Sequence, residues 1–347
     1  MSNIWLILIL PIYTDFSAKE RLNISTEYDS NVYKRPLKDN ELLKSDFNLR
    51  LQSDLNLRFS SNKHILKLNI INGGKLFINE SDANAIANQG EISYSYKAGK
   101  FIPEIGLDAK DTSTIDTIQD YTIIMPFVAL NYYSKSLYLK LLQGYERFIL
   151  DYKEDYSYDG LVSGIITNLS IDEDLSFNAN YIFKYNYYDS PAYKKLGDLD
   201  KDILLTQKTT NKRRDSNHNL LLRLNYESDI IIFFSYNPEI NTSNSAGESV
   251  FRQRFQLSMT SLLFFKIYIN MLISIMISSF KDGILISDEL LLINDSENRN
   301  YIIIKLSREI YKKTMIEFKY SYYYSEFSNY ITQFNRTVIS LGFCFKF

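Results

Sequence analysis

The sequence predicts one all-β unit: a single transmembrane up-and-down antiparallel β-barrel of about sixteen strands, with long loops on one rim and short turns on the other. Three observations predict it: long segments alternate apolar and polar residues, short and long connections alternate, and the apolar faces outrun those of a soluble sheet. FNLRLQSDLNLRF, residues 47–59, is the clearest segment. Phe47, Leu49, Leu51, Leu55, Leu57 and Phe59 share one face with Ser53, and Asn48, Arg50, Gln52, Asp54, Asn56 and Arg58 share the other. A period of two belongs to a strand, not a helix. The segment holds thirteen residues, against about 5 or 6 for an ordinary strand.

The same pattern recurs along the chain. Strands are expected near 21–29, 45–60, 63–73, 90–98, 101–110, 121–132, 135–150 and 157–171. The second half continues with 174–188, 216–227, 229–237, 250–264, 266–280, 298–308, 313–325 and 332–347. In LSFNANYIFKYNYY the odd positions from Leu175 to Tyr187 are apolar or aromatic, and Ser176, Asn178, Asn180, Lys184 and Asn186 oppose them. RTVISLGFCFKF places Ile339, Leu341, Phe343, Phe345 and Phe347 on one face. Residues 262–280 are apolar enough to suggest a membrane helix, yet Ile267, Ile269, Met271, Ile273, Ile275 and Ile277 hold consecutive odd positions. β-branched residues there suit a strand, with Asn270 and Ser274 on the inner face.

The connections carry the topology. Long polar stretches such as 189–215, 238–249 and 281–297 alternate with tight turns at 227–229 and 264–266, and Gly73-Gly74 reads as part of a loop. A bilayer offers backbone groups no water, so a sheet crosses it only when its edges close. About 9 to 11 tilted residues cross the hydrocarbon, and these segments reach that length.

Composition bounds the function. A net charge of −2 argues against nucleic acid as a partner, and one cysteine, Cys344, excludes an internal disulfide and a Cys-rich zinc site. With two histidines, no metal site and no cofactor are expected. Mean hydropathy of −0.21 argues against a bundle of membrane helices. Residues 1–18 read as a secretory signal peptide, with apolar core Ile4–Leu10 and cleavage after Ala18, leaving 19–347 as the barrel. A buried first strand is the alternative, because no Lys or Arg precedes the core.

The chain ends SLGFCFKF, where Ser340, Gly342, Phe345 and Phe347 stand in the order polar, Gly, aromatic, terminal aromatic. This resembles the C-terminal signal of bacterial outer-membrane β-barrels. The resemblance implies a Gram-negative outer membrane, with the β-barrel assembly machinery and outer-membrane lipid as partners; it bears on location and assembly, not on what is carried. Tyr28-Asp29-Ser30-Asn31-Val32-Tyr33 is similar to the first strand and loop of barrels associated with exopolysaccharide or exosortase systems and of surface lipoprotein assembly modifiers.

Catalytic groups are sparse. Ser216 and His218 share a strand face with Asp215 nearby, but no nucleophile, base and orienting group stand out together. In the outer-membrane phospholipases that the pair resembles, the histidine precedes the serine. The expected role of His218 is a hydrated rim residue, and of His64 an interfacial one. Tyrosines at segment ends, among them Tyr28, Tyr132, Tyr187 and Tyr322, fit the aromatic girdles of a barrel.

The inner face is where function is expected. Arg50, Arg58, Arg223, Arg252, Arg254 and Arg336 are its candidate constriction residues, and Arg252 with Arg254 the best pair for an eyelet. Lys67, Lys97, Lys184, Lys305, Lys319 and Lys346 add to the basic side; Asp54, Glu91, Glu104, Asp108 and Glu317 oppose them. Other acids, among them Asp151, Glu154, Asp155, Asp288, Glu289, Asp295 and Glu297, are expected in long loops. A basic wall in a confined pore concentrates anions. The expected function is a porin-like passive channel for small polar or anionic solutes, possible as a homo-oligomer. The alternatives are an export conduit or accessory for an anionic polysaccharide or a surface lipoprotein, and an outer-membrane hydrolase built on Ser216 and His218.

Overall fold

The computed structural model describes residues 15–33, 44–114, 120–151, 156–200, 203–283, 300–324 and 334–347. Most of the expected signal peptide and the loop acids Glu154, Asp155, Asp288, Glu289, Asp295 and Glu297 lie outside these residues.

Sixteen antiparallel strands close into one barrel. The first eight are β1 (Asp15–Asp29), β2 (Asp46–Ser60), β3 (His64–Phe77), β4 (Ala85–Tyr96), β5 (Phe101–Thr114), β6 (Tyr121–Tyr133), β7 (Leu137–Leu150) and β8 (Tyr158–Ser170). The rest are β9 (Leu175–Asp200), β10 (Ile203–Glu227), β11 (Ile230–Ser243), β12 (Val250–Leu262), β13 (Ile267–Phe280), β14 (Asn300–Tyr311), β15 (Thr314–Tyr324) and β16 (Asn335–Lys346). Each pairs with its chain neighbours, and β1 pairs with β16 to remove the last free edge.

The alternating pattern is the inside–outside pattern of the wall. Phe47, Leu49 and Leu51 are exposed on the outer surface while Asn48 between them is buried inside. Ile275, Ile277, Leu341 and Phe343 are likewise exposed outside, and Ser274 and Ser340 lie buried on the inner face. The apolar stretch 262–280 is the end of β12, a short turn at Phe264–Lys266, and β13. Among the described residues no helix is long and apolar enough to cross a membrane.

The seam is tight. A Cβ on Gly342 of β16 would lie 2.4 Å from the Ile24 carbonyl oxygen and 2.5 Å from the Ser25 Cβ of β1. Only glycine admits that approach. Phe347 then donates its backbone N–H to the Glu20 carbonyl, fixing the chain end against β1.

Several boundaries differ from expectation. β3 runs to Phe77, so Gly73 and Gly74 sit in a ladder between Leu51 and Gln52 on one side and Ile86 and Ala87 on the other, not in a loop. β1 starts at Asp15, and Asp15–Ala18 pair with Leu57–Ser60; cleavage after Ala18 would trim those four pairs. β11 continues through Pro238 to Ser243. The largest difference is 189–215, expected as a long loop and found as strand: β9 has 26 residues and β10 has 25, joined at 201–202. Lys212–Arg214 therefore stand in β10. Beyond the hydrocarbon no apolar face is needed, so the two-residue period fades although the backbone ladder continues, with irregular register between Lys208 and Arg214.

Outside the barrel wall, Glu80 accepts hydrogen bonds from Lys44 Nζ at 2.8 Å and Tyr33 Oη at 2.9 Å. The Lys44 bond, chiefly, holds its carboxyl below the usual glutamate range.

Two outcomes check this architecture. Ile273→Arg, on the outer face near mid-height, should cost about 2–4 kcal/mol in lipid while Ile273→Leu stays near neutral, read by urea titration in liposomes. Gly342→Val should overpack the seam by about 1–3 kcal/mol, visible as loss of the fast-migrating folded band on unheated gels.

Candidate functional site: the inner wall

Register sets which charges meet. Arg50 faces Lys75, Lys305 faces Lys319, Arg21 faces Lys346 and Arg58 faces Lys67 across neighbouring strands. Like charges directly opposite each other destabilise a sheet, so each pair needs an answer.

For the first three pairs the answer is a carboxylate. Glu27 of β1, whose side chain is fully buried, meets Lys75 at 2.8 Å, Arg50 at 3.3 Å and Lys319 at 3.5 Å. Lys305 pairs with Glu317 at 3.1 Å, and Arg21 with Asp54 at 2.9 Å. Arg336 forks onto the buried Asp29 carboxylate. One glutamate on β1 thus holds β2 and β3 on its own side and, across the β1–β16 seam, β15.

A second group of pairs lies elsewhere on the wall, Lys184–Glu146 and Arg252–Glu239 in its long-loop half and Lys140–Glu104 near the short-turn ends of β7 and β5. Lys184 meets Glu146 at 2.8 Å, Arg252 meets Glu239 at 3.1 Å, and Lys140 meets Glu104 at 3.2 Å. Arg213 bonds Asp215, meets Glu248 at 3.1 Å, and lies 4.0 Å above the Tyr188 ring. Arg254 reaches the Met276 sulfur at 3.8 Å. Every expected arginine thus faces inward, but Arg50, Arg252 and Arg336 are paired with acids, and Arg252 with Arg254 forms no free eyelet.

Arg58 and Lys67 differ. Among the described residues neither has a carboxylate partner, and the same holds for Arg223 and Lys346. All four lie within four residues of the short-turn ends of their strands. Arg58, Arg223 and Lys346 are exposed. The wall therefore pairs many of its described cations with acids, at both heights, and leaves these four, toward the short-turn rim, without one.

Sequence reasoning missed Glu27, Asp29, Lys75, Glu146 and Glu239. Glu27 and Asp29 do sit on the inward phase of β1, a signal that alternation alone could have carried. Lys75 and Glu239 lay in segments expected to be loops.

Ser216 and His218 do approach each other, with Oγ 3.4 Å from Nε2, but on the outer surface and well inside β10 instead of at a strand end. His218 Nδ1 meets the Tyr181 hydroxyl at 2.7 Å. A phenol, not a carboxylate or amide, thus fills the orienting position. The same arrangement recurs at the other rim, where His64 Nδ1 lies 2.7 Å from the Tyr94 hydroxyl. A recurring His–Tyr pair on the outer face reads as girdle, not as catalytic machinery. No group of metal-binding side chains occurs among the described residues.

No protein-family model and no curated protein matches the chain. Solved structures do. A loop-deletion mutant of OmpT, an outer membrane protein of Vibrio cholerae, aligns with a TM-score of 0.53 at 10% identity, over 96% of this chain and all of that one. In-vitro folded OmpT, in its trimer form, gives 0.52 at 9% identity over 96% of this chain and 100% of its own. OpdK, an outer membrane protein of Pseudomonas aeruginosa, gives 0.50 at 9% identity over 95% of this chain and 99% of its own. The likeness is one of fold. It is the fold of bacterial outer-membrane β-barrels.

Replacing Glu27 by Gln leaves Lys75, Arg50 and Lys319 buried or half-buried without their carboxylate. We expect destabilisation of about 3–5 kcal/mol, measured as a lower urea midpoint of the detergent-solubilised barrel.

Proposed function

We propose that this protein is a passive outer-membrane channel for small polar solutes that favours anions. One observation carries the reading. Arg58 and Lys67 oppose each other directly on the inner wall and no described carboxylate engages either, whereas in each of the three equivalent pairs a carboxylate engages at least one member. A sheet keeps such repulsion at a cost, and a confined basic ring concentrates anions and repels cations. With Arg223 and Lys346 it forms a collar on the short-turn rim, the periplasmic rim in barrels of this kind. Arg50, Arg252 and Arg336 act as struts of the wall, and the collar carries the selectivity.

The wider assignment follows the same logic. The apolar outer wall takes outer-membrane lipid as its solvent, and SLGFCFKF serves as the segment read by the assembly machinery, with Gly342 doubling as the seam residue. The channel performs no covalent chemistry and needs no cofactor.

Planar-bilayer recordings under a salt gradient test the proposal. The wild-type reversal potential should indicate anion preference, and Arg58→Glu with Lys67→Glu should shift it toward cations. Equal permeability of both ions in the wild type, or no shift in the double variant, would remove the anion assignment.

A further inference from the structure

The β1–β16 seam carries a hollow of about 350 Å³ on its inner face, shared by β14, β15, β16, β1 and β2. That volume suits a small molecule, for which about 300–1,000 Å³ is usual. The seam itself makes the space: Gly342 and Ser25 meet in register and both line the hollow, so no long side chain stands there.

The lining falls into three levels along the strands. Arg50 stands beside Ser25 at the upper level, with Lys305 and Lys319 facing each other one inward step above. Met315, Cys344, Asn23 and Gln52 follow in register at the middle level, all uncharged. Arg21 and Lys346 face each other at the lower level. From Gly342 to Lys346 is four residues, about 13 Å of strand. The hollow thus has two cationic ends and a neutral waist.

The cations keep donors for a ligand. The Arg50 side chain is 35% exposed and that of Arg21 48%. Arg50 reaches Glu27 and Gln52 at 3.3 Å each, longer than the about 2.7–2.9 Å of a tight charge-assisted bond. Arg21 gives one nitrogen to Asp54, and a guanidinium group has further N–H donors to offer. Five cations and one carboxylate, Glu317, line the hollow. Glu27 and Asp54 reach three of those cations from outside it, which leaves two positive charges uncompensated. Glu309, next to Met315 on β14, lies outside the lining and accepts the Lys313 backbone N–H.

A single anionic group answers one end only, whereas two carboxylates joined by a short chain answer both. We propose that the seam hollow binds a short linear dicarboxylate. One carboxylate meets Arg50 and its neighbouring lysines, the other meets Arg21 and Lys346, and the methylenes cross the neutral waist beside Met315. Each end supplies a guanidinium fork, which matches a planar carboxylate two bonds at a time. The inference deepens the anion reading by naming a solute class, and it rests on that reading only for entry into the lumen.

Isothermal titration calorimetry on the folded, detergent-solubilised protein at fixed ionic strength tests the site without requiring conductance. Succinate should bind at a single site per barrel. Butyrate, equal in length with one charge, and inorganic phosphate, a compact anion, should each bind at least tenfold more weakly. Arg21→Gln and Arg50→Gln should each weaken succinate by about tenfold or more, the loss of one charge-assisted hydrogen bond, and bring its affinity toward that of butyrate. If either variant fails the heat-modifiability check for folding, Lys346→Gln takes its place with the same expected direction. Butyrate or phosphate bound as tightly as succinate, or full succinate affinity in the folded variants, would overturn the site. No succinate binding by a barrel that still prefers anions in bilayers would overturn the site and leave the channel. Succinate binding by a barrel that carries no current would support the site and remove the channel.

Discussion

Backbone hydrogen bonding in a solvent without water governs this molecule. An N–H or C=O left open inside hydrocarbon costs several kcal/mol, so a sheet placed there must return to its own first strand. The β1–β16 ladder does this, with nine residue pairs from Arg21↔Lys346 to Asp29↔Val338. Other features follow from it. The outer face can be apolar because its solvent is apolar, and the inner face must take every charge that the strands carry.

Closure also creates the charge problem that the inner wall resolves. Sixteen strands bring inward-facing lysines and arginines into fixed register whether or not they attract. Glu27 answers three of them, Lys319 from across the seam and Arg50 and Lys75 from β2 and β3, so a residue of the closing strand also neutralises the wall. Buried ion pairs are weak evidence for net stability, because desolvation offsets much of the attraction. Here their clearer effect is to remove charge from one part of the lumen and leave it at another. The Arg58–Lys67 repulsion and the Lys184–Glu146 and Arg252–Glu239 pairs are outcomes of the same register.

Much of this was legible in the sequence. Alternation put Arg50, Arg58, Arg223, Arg252, Arg254 and Arg336 on the inner face, because side-chain direction depends only on local period and on which face must be apolar. Pairing was not legible. Lys319 and Glu27 are 292 positions apart and meet only because the barrel closes. The eyelet expected from Arg252 and Arg254 depended on Glu239 lying in a loop; once β11 extends past Pro238, Glu239 faces Arg252 directly. Strand ends were also hidden where they leave the lipid. The extra length of β9 and β10 carries no apolar face, since none is needed there.

That extra length shapes how the mouth can move. A covalent loop without ladder bonds can fold into an opening and out again at small cost. The β9–β10 ribbon, zipped along most of its height and tied to its surroundings by Tyr193 N–H to Ser245 Oγ and Ala246 N–H to the Tyr193 carbonyl, cannot crumple that way. It behaves as a parapet. Any closure by this ribbon would come by leaning of a stiff plate over the entrance, not by the refolding of a slack loop.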